Sequence, residues 1–271
     1  MSGAPAYVDR LISGLEDGLA SPASLRQLGV GGARVPVGLC RRTLAALPGV
    51  EAKVLYGSTE AEPIASAGFE EVVAQEEQGV LVGREAAAAE VELVDLPDPP
   101  PVLDERDIAP YRVTHGELIV RGEHVNRRYL DNPEADRANK LQAPDGTVWH
   151  RTGDVARRDS QGRIWLTGRL PDLVRWRGRT LHPFLLEALT DRLDGVERSA
   201  LLAVGEEACL VVELQHAANK ELVEQSLMEV LASNALSDLC LEFVDRIPTD
   251  RRHNSKIDRP ALRRTVGSAR G

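Results

Sequence analysis

Val54-Leu55-Tyr56-Gly57-Ser58-Thr59-Glu60 reads as a short apolar strand that empties into a loop of small residues, and this stretch decides how the first part of the chain folds. Upstream of it, Val8, Leu11, Ile12, Leu15 and Leu19 recur at helical spacing over residues 7–20. Leu28-Gly29-Val30 runs into Gly31-Gly32-Ala33 as a strand-to-turn signal, and residues 39–47 read as a helix closed by Pro48-Gly49. Strands and helices in alternation predict a parallel α/β sheet. A loop at the carboxyl end of such a strand is where these sheets commonly hold ligands.

Beyond residue 76 the apolar runs shorten. Val80-Leu81-Val82, Val91-Glu92-Leu93-Val94, Glu117-Leu118-Ile119-Val120 and Ile164-Trp165-Leu166 are separated by turn residues, which predicts a small β unit of barrel or sandwich shape. Within it, Pro97-Asp98-Pro99-Pro100-Pro101 makes residues 95–110 an exposed loop. Asn132 is placed to cap a short helix starting at Pro133. After Gly168 the spacing predicts a helix over 183–193, strands over 199–204 and 209–214, a helix over 220–232, a strand over 240–244, and a basic tail around Lys256. The expected fold class is therefore α/β plus α+β. Residues 1–76 form part of a parallel-sheet unit, 77–168 a β-rich unit, and 169–271 a compact α+β unit.

Composition narrows the function. A formal charge of −9 over 271 residues argues against general nucleic-acid binding, which uses a basic face. Cys40, Cys209 and Cys240 are widely spaced, so neither a disulfide framework nor a metal site is expected. No apolar run approaches the roughly 20 residues of a membrane span, and Met1-Ser2-Gly3-Ala4-Pro5 lacks a secretory signal pattern. The cytoplasm is the expected compartment. The six histidines show no metal spacing, and no serine sits in a nucleophile elbow.

Four later groups stand out. Tyr56 offers a flat face for a purine, Thr59 a hydroxyl for a phosphate oxygen, and Glu60 a hard oxygen ligand for Mg²⁺. Asp154, in His150-Arg151-Thr152-Gly153-Asp154, suits ribose hydroxyls, and Arg169 opens Arg169-Leu170-Pro171-Asp172. Lys256, in Asn254-Ser255-Lys256-Ile257-Asp258-Arg259, is a compact charge on a flexible stem. Each residue alone also reads plainly, as a buried turn tyrosine, a turn aspartate, a boundary arginine or a cation in a solvated tail. The arginines at 157, 158, 163, 169, 175, 177 and 179 read as a solvated face or as a surface steering a phosphate-rich thiol.

Taken together and in this order, the motifs resemble the C-terminal half of the AMP-forming acyl-adenylate enzymes, which include acyl-CoA synthetases, peptide-synthetase adenylation domains and luciferases. The resemblance implies ATP and AMP as nucleotides and Mg²⁺ on Glu60. It implies that Gly31, Gly32 and Ala33 lie against adenine, with Tyr56, Gly57 and Ser58 beside the nucleotide and Thr59 at phosphate. Asp154 and Arg169 then hold the ribose, and Lys256, on a mobile lid (residues 169–271), neutralises charge between carboxylate and α-phosphate. The implied substrate is a fatty or β-hydroxy fatty acid, the implied acceptor CoA or a carrier protein. Residues 56–64, the Pro-rich loop and the Trp149–Asp154 context are also similar to β-lactone synthetases of olefin biosynthesis, which close a ring without CoA. A nucleotide-binding remnant without turnover is the third reading.

Three departures qualify the resemblance. Only 55 residues precede Tyr56, and none form the Ser/Thr/Gly-rich loop ending in Lys-Gly that grips pyrophosphate in such enzymes. The expectation is an N-terminally incomplete chain, inactive alone, whose missing half is absent or supplied by a separate polypeptide. Pro171 stands at the lid hinge, where family members carry aspartate or lysine; it predicts a stiff hinge and an extended Leu170. Ser255 stands where glycine is usual.

Overall fold

Val8 and Ile12 bury one stripe of a helix, and the glycines of residues 29–32 let two strands approach beside it; the first layer of the fold follows from these choices. A computed structural model describes residues 1–19, 22–75, 79–103, 107–250 and 256–268. In chain order come β1 (Ser2–Gly3), α1 (Pro5–Glu16), β2 (Gln27–Gly31), α2 (Val37–Ala46), β3 (Glu51–Ser58), β4 (Ala61–Gly68), α3 (Phe69–Val73), β5 (Val80–Glu85) and β6 (Glu90–Val94). Then follow β7 (His115–Arg121), α4 (Pro133–Asn139), β8 (Lys140–Gln142), β9 (Val148–Arg158) and β10 (Ile164–Arg169). The C-terminal part holds β11 (Val174–Trp176), β12 (Arg179–Leu181), α5 (Pro183–Thr190), β13 (Val196–Val204), β14 (Glu207–Leu214), α6 (Lys220–Ser233), β15 (Cys240–Val244) and α7 (Arg259–Ser268).

Among the described residues, the first ten strands form one mixed sheet in the order β1-β2-β3-β4-β5-β10-β9-β7-β6, with β8 paired to β9. β1, β2 and β3 run parallel, and the pairs from β3–β4 onward are antiparallel. The strand path is continuous through β5, whose residues 84 and 85 pair with β4 and whose residues 80, 81 and 83 pair with β10. Residue 76, the expected boundary, falls outside the described residues.

Helices α1, α2 and α3 cover β2 and β3 through a core that includes Val8, Ile12, Leu39, Val54, Phe69 and Trp165. The C-terminal part builds two cores of its own, one around Leu210, Val212, Leu227 and Leu231, the other around Ala200, Leu202, Leu262 and Val266. They lie on the two faces of the sheet β13-β14-β15, as alternation along each strand requires.

Several local expectations need correction. The Tyr56 strand does not empty into an open loop: β3 continues to Ser58 and turns straight into β4, with a register shift between Tyr56 and Ser58. The tail after Lys256 is not wholly solvated, since Leu262 and Val266 bury α7 and Arg259 is buried with them. Leu170 opens a 3-10 turn over Leu170–Asp172 instead of lying extended, its carbonyl accepting from the Leu173 amide at 3.4 Å. The loop over 95–110 is not simply exposed, because Ile108 is fully buried and both Asp107 oxygens accept from Trp149 Nε1 at 3.2 Å. Asn132 does cap α4, accepting from the Ala135 amide at 3.0 Å.

Candidate active site

The site is built at the carboxyl ends of β2 and β3 and across the β9–β10 pair. Gly31 ends β2 opposite Leu55, and a side chain there would bring its Cβ within 2.6 Å of the Leu55 carbonyl. Only glycine allows this approach, after which Gly32 turns the chain at φ +81°. Residues 31–33 therefore lie beside the strand that carries Tyr56.

Asp154 and Arg169 face each other as register partners on β9 and β10, a register set by the irregularity between Leu166 and Gly168. The Arg169 Nε lies 3.0 Å from Asp154 Oδ1, and its Nη2 donates to the Thr152 carbonyl at 3.2 Å. Gly153 adopts φ +70°, which the Thr152-Gly153-Asp154 turn requires. From the other side, the Tyr56 hydroxyl donates to Asp154 Oδ2 at 2.7 Å. Three residues spread over 56 to 169 thus meet at one carboxylate, 18% exposed.

Burial pushes the Asp154 carboxyl above its usual range, opposed by the Tyr56 hydrogen bond and by the charges of Arg169 and Lys256. Burial, then the neighbouring carboxylate, raise the Tyr56 phenol well above its usual value, so it stays a donor. Lys256 is exposed yet near enough for its charge to be felt at Asp154. Its backbone is held by Asp250, through an amide bond to Oδ1 at 3.0 Å and a carbonyl bond from the Asp250 amide at 2.8 Å. Ser255 and the four residues before it lie outside the described residues.

Thr59 and Glu60 form the turn between β3 and β4. The Glu60 carbonyl accepts from the Asn126 amide at 2.8 Å, and Tyr129 donates its hydroxyl to Glu60 Oε1 at 3.1 Å. Burial works against the Glu60 charge, but its own backbone amide and Tyr129 outweigh it and hold the carboxyl below its usual range. Tyr129 is pushed up to about 12, by burial first and then by Glu60. Its ring also lies 5.2 Å from the buried Lys140 ammonium. Glu60 therefore looks toward Tyr129, Lys140 and His150, whereas Tyr56, Asp154 and Arg169 form the neighbouring cluster. Ser58 Oγ is buried, and the Ser58 side chain helps to hold the Glu60 carboxyl low.

Sequence reasoning missed Tyr129, Lys140 and Glu117. Glu117 is buried, accepts from Arg151 Nη2 at 2.7 Å and from the Gly153 amide at 3.3 Å, and so shapes the turn before Asp154. An acid inside the run Glu117-Leu118-Ile119-Val120 was the available signal. Arg34 was also missed, although it directly follows Gly31-Gly32-Ala33.

A single carboxylate suits Mg²⁺ that arrives on phosphates and keeps its waters. Among the described residues no group of three histidine, cysteine or acidic side chains forms a protein-only metal cage. No helix among them is long and apolar enough to cross a membrane.

Residues 1–130 match the model of a family described as AMP-binding enzyme. The olefin β-lactone synthetase of Stenotrophomonas maltophilia is 30% identical over 225 residues, which are 76% of this chain and 40% of that protein. A propanoyl:CoA ligase of Rhodococcus jostii, whose acyl group carries a methyl-dioxo-octahydroindenyl ring system, is 29% identical across 97% of this chain and 47% of its own length. Among solved structures, the amide bond synthetase McbA of Marinactinospora thermotolerans superposes with a TM-score of 0.77 at 25% identity, covering 97% of this chain and 52% of that one. The chain thus spans about half the length of the relatives it matches, and none of them supports a separate polypeptide for the other half. From the matched model, the relatives and the shared fold, the chain belongs to the AMP-binding enzyme family.

Proposed function

We propose that this chain supplies the ribose contacts, the metal carboxylate and the lid lysine of an ATP-dependent ligase that activates a carboxylic acid as acyl-AMP. The observation that carries the reading is Asp154 held between the Tyr56 hydroxyl and the Arg169 guanidinium. Each carboxylate oxygen keeps lone-pair capacity for a ribose hydroxyl, and Tyr56 presents its ring to adenine lying on residues 31–33. Glu60 would hold Mg²⁺, which when bound would offset phosphate charge. Lys256 is placed to neutralise the carboxylate–phosphate junction, and Thr59 to bond a phosphate oxygen. The units we assign are a sheet-forming body to residue 168 and a lid from 169 to 271. The substrate is a fatty or β-hydroxy fatty acid, the acceptor CoA or a carrier arm, and the compartment the cytoplasm.

A second product is favoured by one observation. The 3-10 turn at Leu170–Asp172 contains Pro171, and Asp172 pairs with Arg259 Nε at 3.4 Å. A hinge closed in this way suits chemistry finished without lid rotation, as in ring closure to a β-lactone. The Stenotrophomonas relative carries that activity in its name.

Because these 271 residues lack the Gly-rich phosphate loop, AMP binding tests the proposal more directly than turnover. Titration calorimetry should give saturable AMP binding that Asp154→Ala weakens at least tenfold, about 1.4 kcal/mol. An AMP heat unchanged by Asp154→Ala overturns the ribose assignment. ATP–pyrophosphate exchange by the chain alone should be absent.

A further inference from the structure

Arg34 follows the glycine turn of residues 31–33 and reaches α5 and its C-terminal cap in the C-terminal unit. Its guanidinium pairs with Asp191 and lies 3.6 Å from Glu187 Oε2. Both acids belong to a network that is otherwise internal to that unit. Glu187, 1% exposed, accepts from Arg259 Nη2 on both carboxylate oxygens, at 2.8 and 3.1 Å, and from the Leu201 amide at 2.9 Å. Asp191 accepts from Ser199 Oγ at 2.5 Å. Arg259 also reaches Asp172, at the end of the 3-10 turn that joins the two parts.

The geometry has a directional consequence. Arg34 stands on the body, whereas Glu187 and Asp191 stand on a helix that follows Pro171, so rotation about the turn at 170–172 must separate the charges. Burial, and then the charges of Arg259 and Arg198, work against the Arg34 cation, and Glu187 offsets them, with Asp191 as the second carboxylate facing it. Once Arg34 is parted from those carboxylates, nothing holds it beside Arg259 and Arg198.

We propose that Arg34 is a positioning residue, the guanidinium that fastens the lid to the body in the orientation observed here. That orientation keeps Lys256 where its charge is felt at Asp154. The purpose of the fastening rests on the acid-ligase reading, but its existence does not. Continuity of Arg34 with residues 31–33 means that a nucleotide seated on those glycines and the lid seated on Arg34 are held by the same turn.

The test is an interdomain distance. Spin labels at Ser160→Cys on the body and Gln225→Cys on α6, both exposed positions, are read by pulsed electron resonance in a Cys240→Ser background; Cys40 and Cys209 are fully buried. The parent chain should give one narrow distance. Arg34→Met, and independently Asp191→Asn should the first variant fold poorly, should add a second population at a different distance. The exchange Arg34→Asp with Asp191→Arg should return most molecules to the first. Distributions identical to the parent in both single variants overturn the proposal. A second population that survives the exchange also overturns it, because lost packing and not the ion pair then sets the orientation. AMP calorimetry on the parent separates the two readings. A lid shift in Arg34→Met without AMP binding sinks the nucleotide assignment alone, and AMP binding without a lid shift sinks the Arg34 assignment alone.

Discussion

Asp154 receives a neutral donor on one oxygen and a cation on the other, and the two should differ in weight once a ligand arrives. Tyr56→Phe removes a hydrogen bond but keeps the ring that we propose faces adenine. It should weaken AMP binding only about threefold, within the range for one net hydrogen bond, against at least tenfold for Asp154→Ala, with calorimetry reading both. Glu187 carries structural load elsewhere. Replacing it by glutamine removes the carboxylate that Arg259 Nη2 grips, leaves only Asp172 at 3.4 Å to face that buried cation, and should cost about 3 kcal/mol in urea unfolding. Tyr56, Asp154 and Arg169 were legible because each sits in a short motif whose residue types match one ligand. Arg34 and Tyr129 were not, since their importance comes from partners 60 or more positions away that no local pattern announces.

At the scale of elements, periodic helices were read well: α2, α6 and the Asn132 cap of α4 fall where the spacing puts them. Asn132→Ala should lower stability by about 1 kcal/mol, measured by the urea midpoint. The β3–β4 hairpin was missed because an apolar strand followed by small residues does not state which way the chain turns. Helix α7 was missed for another reason: its arginines read as a tail, although Leu262 and Val266 stand four apart and bury one face. The junction of β7, β10 and α5 holds a titratable cluster. Thr167 Oγ1 donates to the Val155 carbonyl at 3.2 Å, which leaves it to accept from His115 Nε2 at 2.9 Å and His182 Nδ1 at 3.1 Å. Burial pushes His182 down to about 4, helped by His115, and lowers His115, helped by Arg157. The unfolded chain takes up these protons near pH 6.5 and the folded one resists them. Stability from this cluster is therefore complete above that pH and falls as the pH drops toward 4, by about 1–3 kcal/mol. Urea midpoints at pH 7 and 5 should differ accordingly, and His182→Gln should reduce the difference.

At the scale of the whole molecule, a mixed α/β chain was legible from alternating strand and helix signals. The single continuous sheet was not, because strand order depends on contacts such as β5 with β10 that skip most of the intervening sequence. If AMP binds only the folded state, 100 times its dissociation constant should add about 2.7 kcal/mol, visible as a rise in melting temperature that Asp154→Ala cuts by about half or more at the same AMP concentration. The anchoring of Lys256 carries one more implication. Asp250 grips its main chain on one side, and Arg259, three residues onward, is sunk in the interior on the other. Three residues of chain span at most about 10 Å, so backbone slack near the ammonium is short and its independent travel is confined to the side chain. Any longer journey of that charge has to be a rigid displacement of everything from the 3-10 turn onward, and a probe fixed anywhere on α5 would report it.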